Sequence, residues 1–406
     1  MKSKLLLSGV FLSLICATAF SQDQSAEKKL DIYGFVMMDA GWNFGQIDPA
    51  WYDVVRPSKL SSFKDEFGPD GNFFMGVRQT RLGVKGYTPT KLGLLKTHFE
   101  FELFGTGVDA GQTTIRLRHA YGELGKWGFG QTWSPFMDID VFPNSIEYWG
   151  PNGMPFFRNV QARYMPIQGD TRLTIALERP GASADQGPYG TELSNLGDVK
   201  PNLSAPDLSA EYRRGQKWGY WELAGIVRQI KWKDMDNINP DLSGSTIGYG
   251  LSLSTNVKFG ANQSDVFRGQ VVFGAGIQNY MNDATVDLVI EQPASGAQLS
   301  ADDAKALQMW GLSAFLDHKW NDKYSTSVGF SMLDNDIPDG YSPNTYKSGQ
   351  YALVNLMYTP VEDMMACVEL QWGARNNFGT DVTGYDGTTI TKLQFSFRYN
   401  FAASVK

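Results

Sequence analysis

The chain has 406 residues, of which 19% are charged and 13% aromatic, and its formal net charge is −7. This acidic balance, with no basic tract, argues against nucleic acid as a partner. The only two cysteines are Cys16, inside an N-terminal apolar run, and Cys367, which argues against a small disulfide-stapled scaffold.

The N-terminus has the pattern of a secretory signal peptide. Lys2 and Lys4 precede an apolar run that extends from Leu5 to about Ala17, and small residues follow it. We therefore expect residues 1–21 to be removed on export, and the loss of two lysines then lowers the formal net charge from −7 to −9. A lipoprotein anchor on Cys16 is the weaker alternative, because the residue before it is not small.

Beyond the leader, the sequence predicts an all-β chain. No apolar run approaches the roughly 18 residues of a membrane-spanning helix. Instead, segments alternate apolar and polar residues, as in "LKTHFEFELFG" at 95–105, where one face is apolar and the other charged. About sixteen such segments follow one another, near residues 31–43, 74–88, 93–105, 113–123, 127–133, 157–165, 170–179, 207–214, 217–232, 245–259, 264–280, 305–320, 323–334, 348–359, 363–376 and 387–401.

The connections between these segments alternate between short and long along the whole chain. This alternation is typical of a transmembrane antiparallel up-and-down β-barrel with short periplasmic turns and long extracellular loops. We therefore predict that residues 22–406 form a single outer-membrane barrel of about 16 strands. A soluble propeller or sandwich is the alternative, but those folds show a blade repeat or Greek-key spacing, and the sequence contains no internal repeat.

Several stretches resemble the DcaP-like outer-membrane porin family. They are "DPAWYDVVRPSKL" at 48–60, "RLGVKGYTP" at 81–89, the run at 95–154 that includes "LRHAYGELGKWGFGQTWSPF", and the closing "LQFSFRYNF". The resemblance implies a 16-stranded barrel in the outer membrane of a Gram-negative cell, assembled as a homotrimer and surrounded by outer-membrane lipid. It also implies passage of small hydrophilic solutes, with a preference for anions such as dicarboxylates.

The chain departs from the family pattern at both ends. Some relatives carry an N-terminal periplasmic helical extension, whereas here only residues 22–29 precede the first strand. The last predicted strand ends at Phe401 and is followed by Ala402 to Lys406, whereas such barrels usually end in an aromatic residue.

Arginines on the polar faces of the strands are the candidate pore-lining residues. In "TTIRLRHAY", the apolar Ile115 and Leu117 assign Arg116 and Arg118 to the lumen, and the same alternation assigns Arg81 and Arg163 to it. A guanidinium recognises a carboxylate through two parallel hydrogen bonds, so these arginines could line an anion path. The alternative is ordinary cross-strand pairing of Arg116 and Arg118 with Glu100 and Glu102.

The third long connection, residues 133–156, differs from the strands in being rich in proline and aromatic residues. Its length favours a functional role, and a barrel of this size needs a narrowing element. We expect it to fold into the lumen as a constriction, with Asp138, Asp140 and Glu147 facing the arginines. The alternative is an extracellular loop packed at the barrel rim or at the trimer axis.

Signals for an enzyme or a cofactor are weak. The three histidines, His98, His119 and His318, form no zinc motif, and the alternation places His119 on the outer face. "DNDIPDG" at 334–340 lacks the glutamate that completes a calcium loop, so it is interpreted as a solvated surface loop that binds a cation weakly at most. We expect no cofactor and no catalysis; a barrel hydrolase and a non-conducting structural or adhesin barrel remain the alternatives.

Overall fold

The computed structural model describes residues 27–181, 199–235, 241–293 and 297–406. The predicted signal peptide therefore lies outside the described residues. Within these ranges, no helix is both long enough and apolar enough to span a membrane.

Sixteen antiparallel strands form the body of the protein. Strand β2 is interrupted at residues 77–80, and both of its parts pair with β1. The strands are β1 (Lys29–Asn43), β2 (Asn72–Gly76 and Arg81–Thr90), β3 (Gly93–Phe104), β4 (Thr113–Leu124), β5 (Trp127–Trp133), β6 (Arg158–Ile167), β7 (Arg172–Glu178), β8 (Asp207–Gln216), β9 (Gly219–Asp234), β10 (Gly244–Phe259), β11 (Asp265–Ala275), β12 (Gln308–Lys319), β13 (Tyr324–Asn335), β14 (Tyr346–Tyr358), β15 (Met364–Asn377) and β16 (Gly387–Val405).

The sheet closes on itself through its first and last strands. Strand β1 pairs with β16 over fourteen residues, from Leu30 opposite Val405 to Asn43 opposite Lys392. Closure leaves no sheet edge between the ends of the chain, and each remaining strand pairs with its neighbours in sequence. The predicted 16-stranded barrel is confirmed, although β16 continues to Val405 rather than ending at Phe401.

The two faces of each strand have opposite characters. In β10, the outward Leu251 and Leu253 are 59% and 56% exposed, whereas the inward Ser252 and Ser254 are 3% and 2% exposed. The outward face is therefore apolar and the inward face polar, which is the inverse of a soluble protein. Such a surface suits a barrel whose outside contacts lipid.

Short turns connect the strands at one end of the barrel and long loops connect them at the other. Three loops matter below: loop L1 (44–71), loop L3 (134–157) and loop L6 (276–307). The short strand Val199–Pro201 pairs with the end of β9, and Leu288–Ile290 and Ala304–Ala306 form a separate two-stranded sheet. Short 3-10 helices lie at Pro49–Trp51, Pro57–Lys59, Gly107–Asp109, Ile139–Val141, Ala261–Gln263, Gln278–Tyr280 and Ala301–Asp303.

Apolar side chains from these loops pack against the inner wall of the barrel. Phe136 of L3 and Tyr280 of L6 form one cluster with the inward Ile226 and Val272. In L1, Val55 packs with residues of β12, β14 and β16 in a second cluster. The barrel therefore contains an apolar core within its polar interior, and this core positions the loops that surround the candidate site.

Candidate functional site: the barrel interior and loop L3

Loop L3 begins after β5 and contacts the inner wall on β8, β9 and β10. Asp138 accepts hydrogen bonds from Arg213 Nη2 at 2.5 Å, from Tyr220 Oη at 2.8 Å and from Ser254 Oγ at 2.6 Å. Asp140 Oδ2 lies 2.5 Å from Arg213 Nη1. A single arginine thus binds both aspartates, which holds the start of the loop against this part of the wall.

The middle of L3 continues along the wall formed by β12 to β16. Ser145 Oγ and the Ile146 amide donate to Glu369 at 2.8 and 3.1 Å, and Asn355 donates to the Asn144 carbonyl oxygen at 2.8 Å. Glu147 then reaches β16, where its Oε2 lies 3.0 Å from Lys392 Nζ. L3 therefore contacts the inner wall from the middle of the chain to its last strand.

The end of L3 returns towards β3 and then passes close to β12 and β13. The Tyr148 ring stacks on Phe104, with ring centroids 3.7 Å apart, and its hydroxyl donates to Glu102. Gly153 donates its amide to Ser331 Oγ at 2.8 Å. A Cβ at Gly153 would lie 2.5 Å from the Leu312 carbonyl oxygen and closer still to that of Met332, so only glycine fits there.

Loops L1 and L6 also take part in this interior assembly, which the sequence did not indicate. Arg56 of L1 pairs with Asp283 of L6 at 3.0 Å, and its guanidinium lies 4.2 and 3.9 Å from the ring centres of Trp51 and Trp149. Asp53 of L1 pairs with Arg78 at 2.6 Å. L1 also contains prolines and aromatic residues, among them Pro49, Trp51 and Pro57, so its composition resembles that of L3 and could have suggested a similar position.

Burial changes the acidity of two loop carboxyls. Desolvation raises the pKa of Glu147 to about 7, and the adjacent Lys392 ammonium opposes the rise. Desolvation also raises the pKa of Asp53, against the opposing charge of Arg78. The charged form of Glu147 therefore depends on Lys392, and that of Asp53 on Arg78 and Lys392.

The predicted arginines on β2 and β4 point into the barrel, and two of them, Arg81 and Arg118, donate hydrogen bonds to carboxylates. Arg118 donates to Glu100 and Glu102, both at 2.6 Å, and Arg81 donates to Glu102 at 3.1 Å. Arg116 lies 4.0 Å from Glu102. The cross-strand pairing considered as an alternative is therefore present in the structure, most fully at Arg118.

Arg163 on β6 has a different environment. Its guanidinium donates to Gln161 Oε1 at 3.0 Å and to the Trp133 carbonyl oxygen at 2.6 Å, and it forms no salt bridge with a described residue. Lys85 on β2 and Arg398 on β16 also lack a salt bridge within the described ranges and instead lie over Tyr33 and Phe35, at 4.9 and 5.5 Å. These three cations are inward-facing and form no salt bridge with a described residue.

The expectation that the L3 carboxylates face the arginines of β4 is wrong. Asp138 and Asp140 bind Arg213, and Glu147 binds Lys392. Alternation identifies the inward face of a strand, but it does not identify which strand a loop will reach. Lys392 lies on the charged face of the last predicted strand, so its orientation could have been found from sequence, whereas its partner could not.

A β-bulge corrects the placement of His119. The register of β4 against β3 shifts between Glu100, which is opposite His119, and Phe101, which is opposite Leu117. Arg118 is thus an additional residue, and His119 turns inward, where it is 4% exposed and stacks on His98 with ring centres 4.5 Å apart. The extra residue inverts the alternation from that point.

The segment 334–340 is also less solvated than expected. Ile337, 8% exposed, packs with Val289 and Leu307 of L6 and with Tyr341. Within the described part of the chain, no group of three or more His, Cys, Asp or Glu side chains is arranged to hold a metal ion. The segment therefore contributes to packing between loops.

Comparison with known proteins places the chain in a family. The model of the DcaP outer membrane protein family matches residues 16–401. The chain belongs to the DcaP outer membrane protein family. No curated protein sequence matches this DcaP-family chain significantly.

Solved outer-membrane structures share the fold of the DcaP-family chain. The outer membrane channel DcaP of Acinetobacter baumannii is 20% identical, with 94% of this chain and 99% of that chain covered and a TM-score of 0.75. OmpT of Vibrio cholerae is 12% identical, with 95% of this chain and 100% of that chain covered and a TM-score of 0.55. An anion-selective porin from Comamonas acidovorans is 11% identical, with 92% of this chain and 100% of that chain covered and a TM-score of 0.56. The barrel is thus a porin-type fold.

Proposed function

We propose that this DcaP-family protein is an outer-membrane channel for small hydrophilic solutes that favours anions such as dicarboxylates. The observation that carries the proposal is a group of three inward cations that form no salt bridge with a described residue: Lys85, Arg163 and Arg398. Uncompensated guanidinium and ammonium groups in a confined aqueous space attract anions and repel cations. The anion-selective porin with the same fold supports this direction of selectivity.

The seven predicted pore-lining residues have different roles in this proposal. Arg163 would contact passing anions, and Arg81 and Arg116, whose side chains are 24% and 30% exposed, would contribute a weaker positive field. Asp140 is 49% exposed and would face the solution. Arg118, Asp138 and Glu147 are buried in ion pairs, so they would act by holding the wall and L3 in place.

We also propose that L3 is the constriction of the channel. Its contacts with β3, β8 to β10 and β12 to β16 support this role, because a loop that touches so much of the inner wall must occupy part of the cross-section. L1 and L6 would narrow the same region from the long-loop end.

Reversal potentials in planar bilayers test the selectivity. We expect the wild-type protein to conduct, with an anion-to-cation permeability ratio above one in a potassium chloride gradient. The double variant R163Q/R398Q removes two of these three cations and should shift this ratio towards one by several-fold. R214Q is the matched control, because Arg214 is exposed and Arg213, its neighbour on β8, is the inward residue.

Each result separates one alternative. A wild-type ratio at or below one would refute the anion preference, and an unchanged ratio in the double variant would refute the role of Arg163 and Arg398. A purified barrel that never conducts would favour a structural or adhesin protein. Hydrolysis of lipid or peptide substrates by the detergent-solubilised protein, without conductance, would favour the enzyme.

We further propose export by the signal peptide at residues 1–21 and assembly as a homotrimer. A trimeric form of Vibrio cholerae OmpT has the same fold, which supports the proposed stoichiometry.

A further inference from the structure

An excess of positive charge lies in the wall of the barrel between β3, β4 and β6. Four arginines surround two buried glutamates: Arg118 and Arg81 bind them directly, and Arg116 and Arg158 lie 4.0 and 3.8 Å from Glu102 Oε1. Arginine does not lose its proton in proteins, so the cluster carries two more positive than negative charges. His98 and His119, 3.9 and 4.0 Å from Glu100, could only add to this excess.

A cavity of about 420 Å³ adjoins this cluster. It lies beside a gap between β4 and β5, which pair only from Ala120 to Leu124. Gln131 bridges this gap by donating its side-chain amide to the Leu117 and Arg118 carbonyl oxygens. Three arginines line the cavity together with aromatic rings, and no described carboxylate does: Arg56, Arg116, Arg158, Trp51, Tyr148 and Trp149.

Arg158 gives this cavity an unsatisfied donor. Its side chain is only 6% exposed, and its Nη1 is buried without a hydrogen-bond partner in the described residues. Its nearest carboxylate oxygen, 3.8 Å from Nη2, is beyond hydrogen-bond distance. A buried guanidinium with an unused N–H group is costly unless a ligand accepts from it.

We propose that this cavity is a binding site for one planar oxyanion, held between Arg116 and Arg158. The guanidinium edges supply parallel donors for a carboxylate or a nitrate, and the aromatic walls suit a small ring attached to the charged group. Arg56 is neutralised by Asp283 and contributes a wall rather than a charge. The site lies beside L3 and β4, so its occupant would stabilise the gap between β4 and β5 whether or not the barrel conducts.

Isothermal titration calorimetry on the full detergent-solubilised protein tests the site, with sodium nitrate and sodium benzoate as probes in a buffer of constant ionic strength. We expect one site per chain. Binding of nitrate alone identifies a small inorganic oxyanion, and tighter binding of benzoate identifies the carboxylate of an organic solute.

R158Q should weaken binding at least about tenfold, because it removes a charge-assisted donor from a buried site. R116Q, at a partly exposed position, should also weaken binding of the probes. It replaces R158Q as the test variant if R158Q does not fold. R179Q removes an exposed arginine at the same end of the barrel and should bind as the wild type does.

Wild-type protein that binds neither probe would overturn the proposal, as would equal binding by the wild type, R158Q and R116Q. A conducting barrel without this binding would refute the site and leave the proposed channel intact. Conversely, binding in a barrel that does not conduct would refute the channel and leave the site intact.

Discussion

At the scale of single residues, the ion pair between Glu147 and Lys392 is the most deeply buried link between L3 and the wall. Both side chains are fully buried, and Glu147 Oε1 also accepts the Val55 amide of L1 at 3.2 Å. Lys392 donates as well to the Asp53 carbonyl oxygen. A buried pair of this kind adds little net stability, but removing one partner leaves an uncompensated charge.

Replacing Lys392 alone should therefore destabilise the protein strongly. K392M should lower the free energy of unfolding by about 3 to 5 kcal/mol, because Glu147 would remain buried without a cation. Urea unfolding in lipid vesicles, followed by tryptophan fluorescence, measures this. The double variant K392M/E147Q removes both charges and should lose much less; an equal loss in both variants would assign the effect to packing rather than to charge.

The cost of K392M should also depend on pH. Burial raises the pKa of Glu147 from 4.5 to about 7 in the folded protein, so the carboxyl favours folding below pH 4.5, and this contribution is lost as the pH rises towards 7. Without Lys392, the loss becomes larger at high pH. The difference between K392M and wild type should be smaller at pH 5 than at pH 8, and no change with pH would argue that Glu147 stays neutral throughout.

At the scale of elements, alternation predicted the strands well but left the loops undetermined. The inward placement of Arg116 and Arg163 follows from a period of two, which is a property of each strand alone. The partners of Asp138 and Glu147 depend on contacts with β8 and β16, which are distant in sequence. The bulge at Arg118 shows a further limit, since one additional residue inverts the face of His119.

The close approach of L3 to β12 and β13 makes Gly153 a sensitive position. In G153A, the new Cβ would overlap the Leu312 and Met332 carbonyl oxygens, and the loop must move away from the wall. If L3 is the constriction, single-channel conductance should change by a measurable fraction, with noisier open levels. G379A is the control, because a Cβ there meets only Pro343 at 3.5 Å. Identical conductance in G153A, G379A and wild type would separate L3 from the conduction path.

At the scale of the whole molecule, the sequence determined the architecture because closure and alternation are global constraints. Sixteen strands can satisfy the hydrogen bonds of every backbone N–H and C=O group only if the sheet closes into a ring. The apolar outer face of this ring then requires lipid around it. The sequence did not indicate that L1 and L6 enter the interior, because their apolar residues show no period and their partners lie on strands that are distant in sequence.

Oligomeric state is a prediction at this scale. Light scattering of the detergent-solubilised protein, corrected for bound detergent, should give three times the mass of one chain. Unfolding the sample in hot detergent should reduce this mass to that of a single chain, which serves as the internal reference. A mass of one chain under mild conditions would contradict the trimer.

The seam between β1 and β16 is braced from inside by the middle of the chain. Ile146 of L3 accepts a hydrogen bond from Gln394 on β16, and Gln394 donates in turn to Asp39 on β1. The pairing of the first and last strands is thus stabilised by L3, a segment more than a hundred residues away from either end of the chain in the sequence. Damage to that segment should therefore slow completion of the cylinder during biogenesis, in addition to altering its bore.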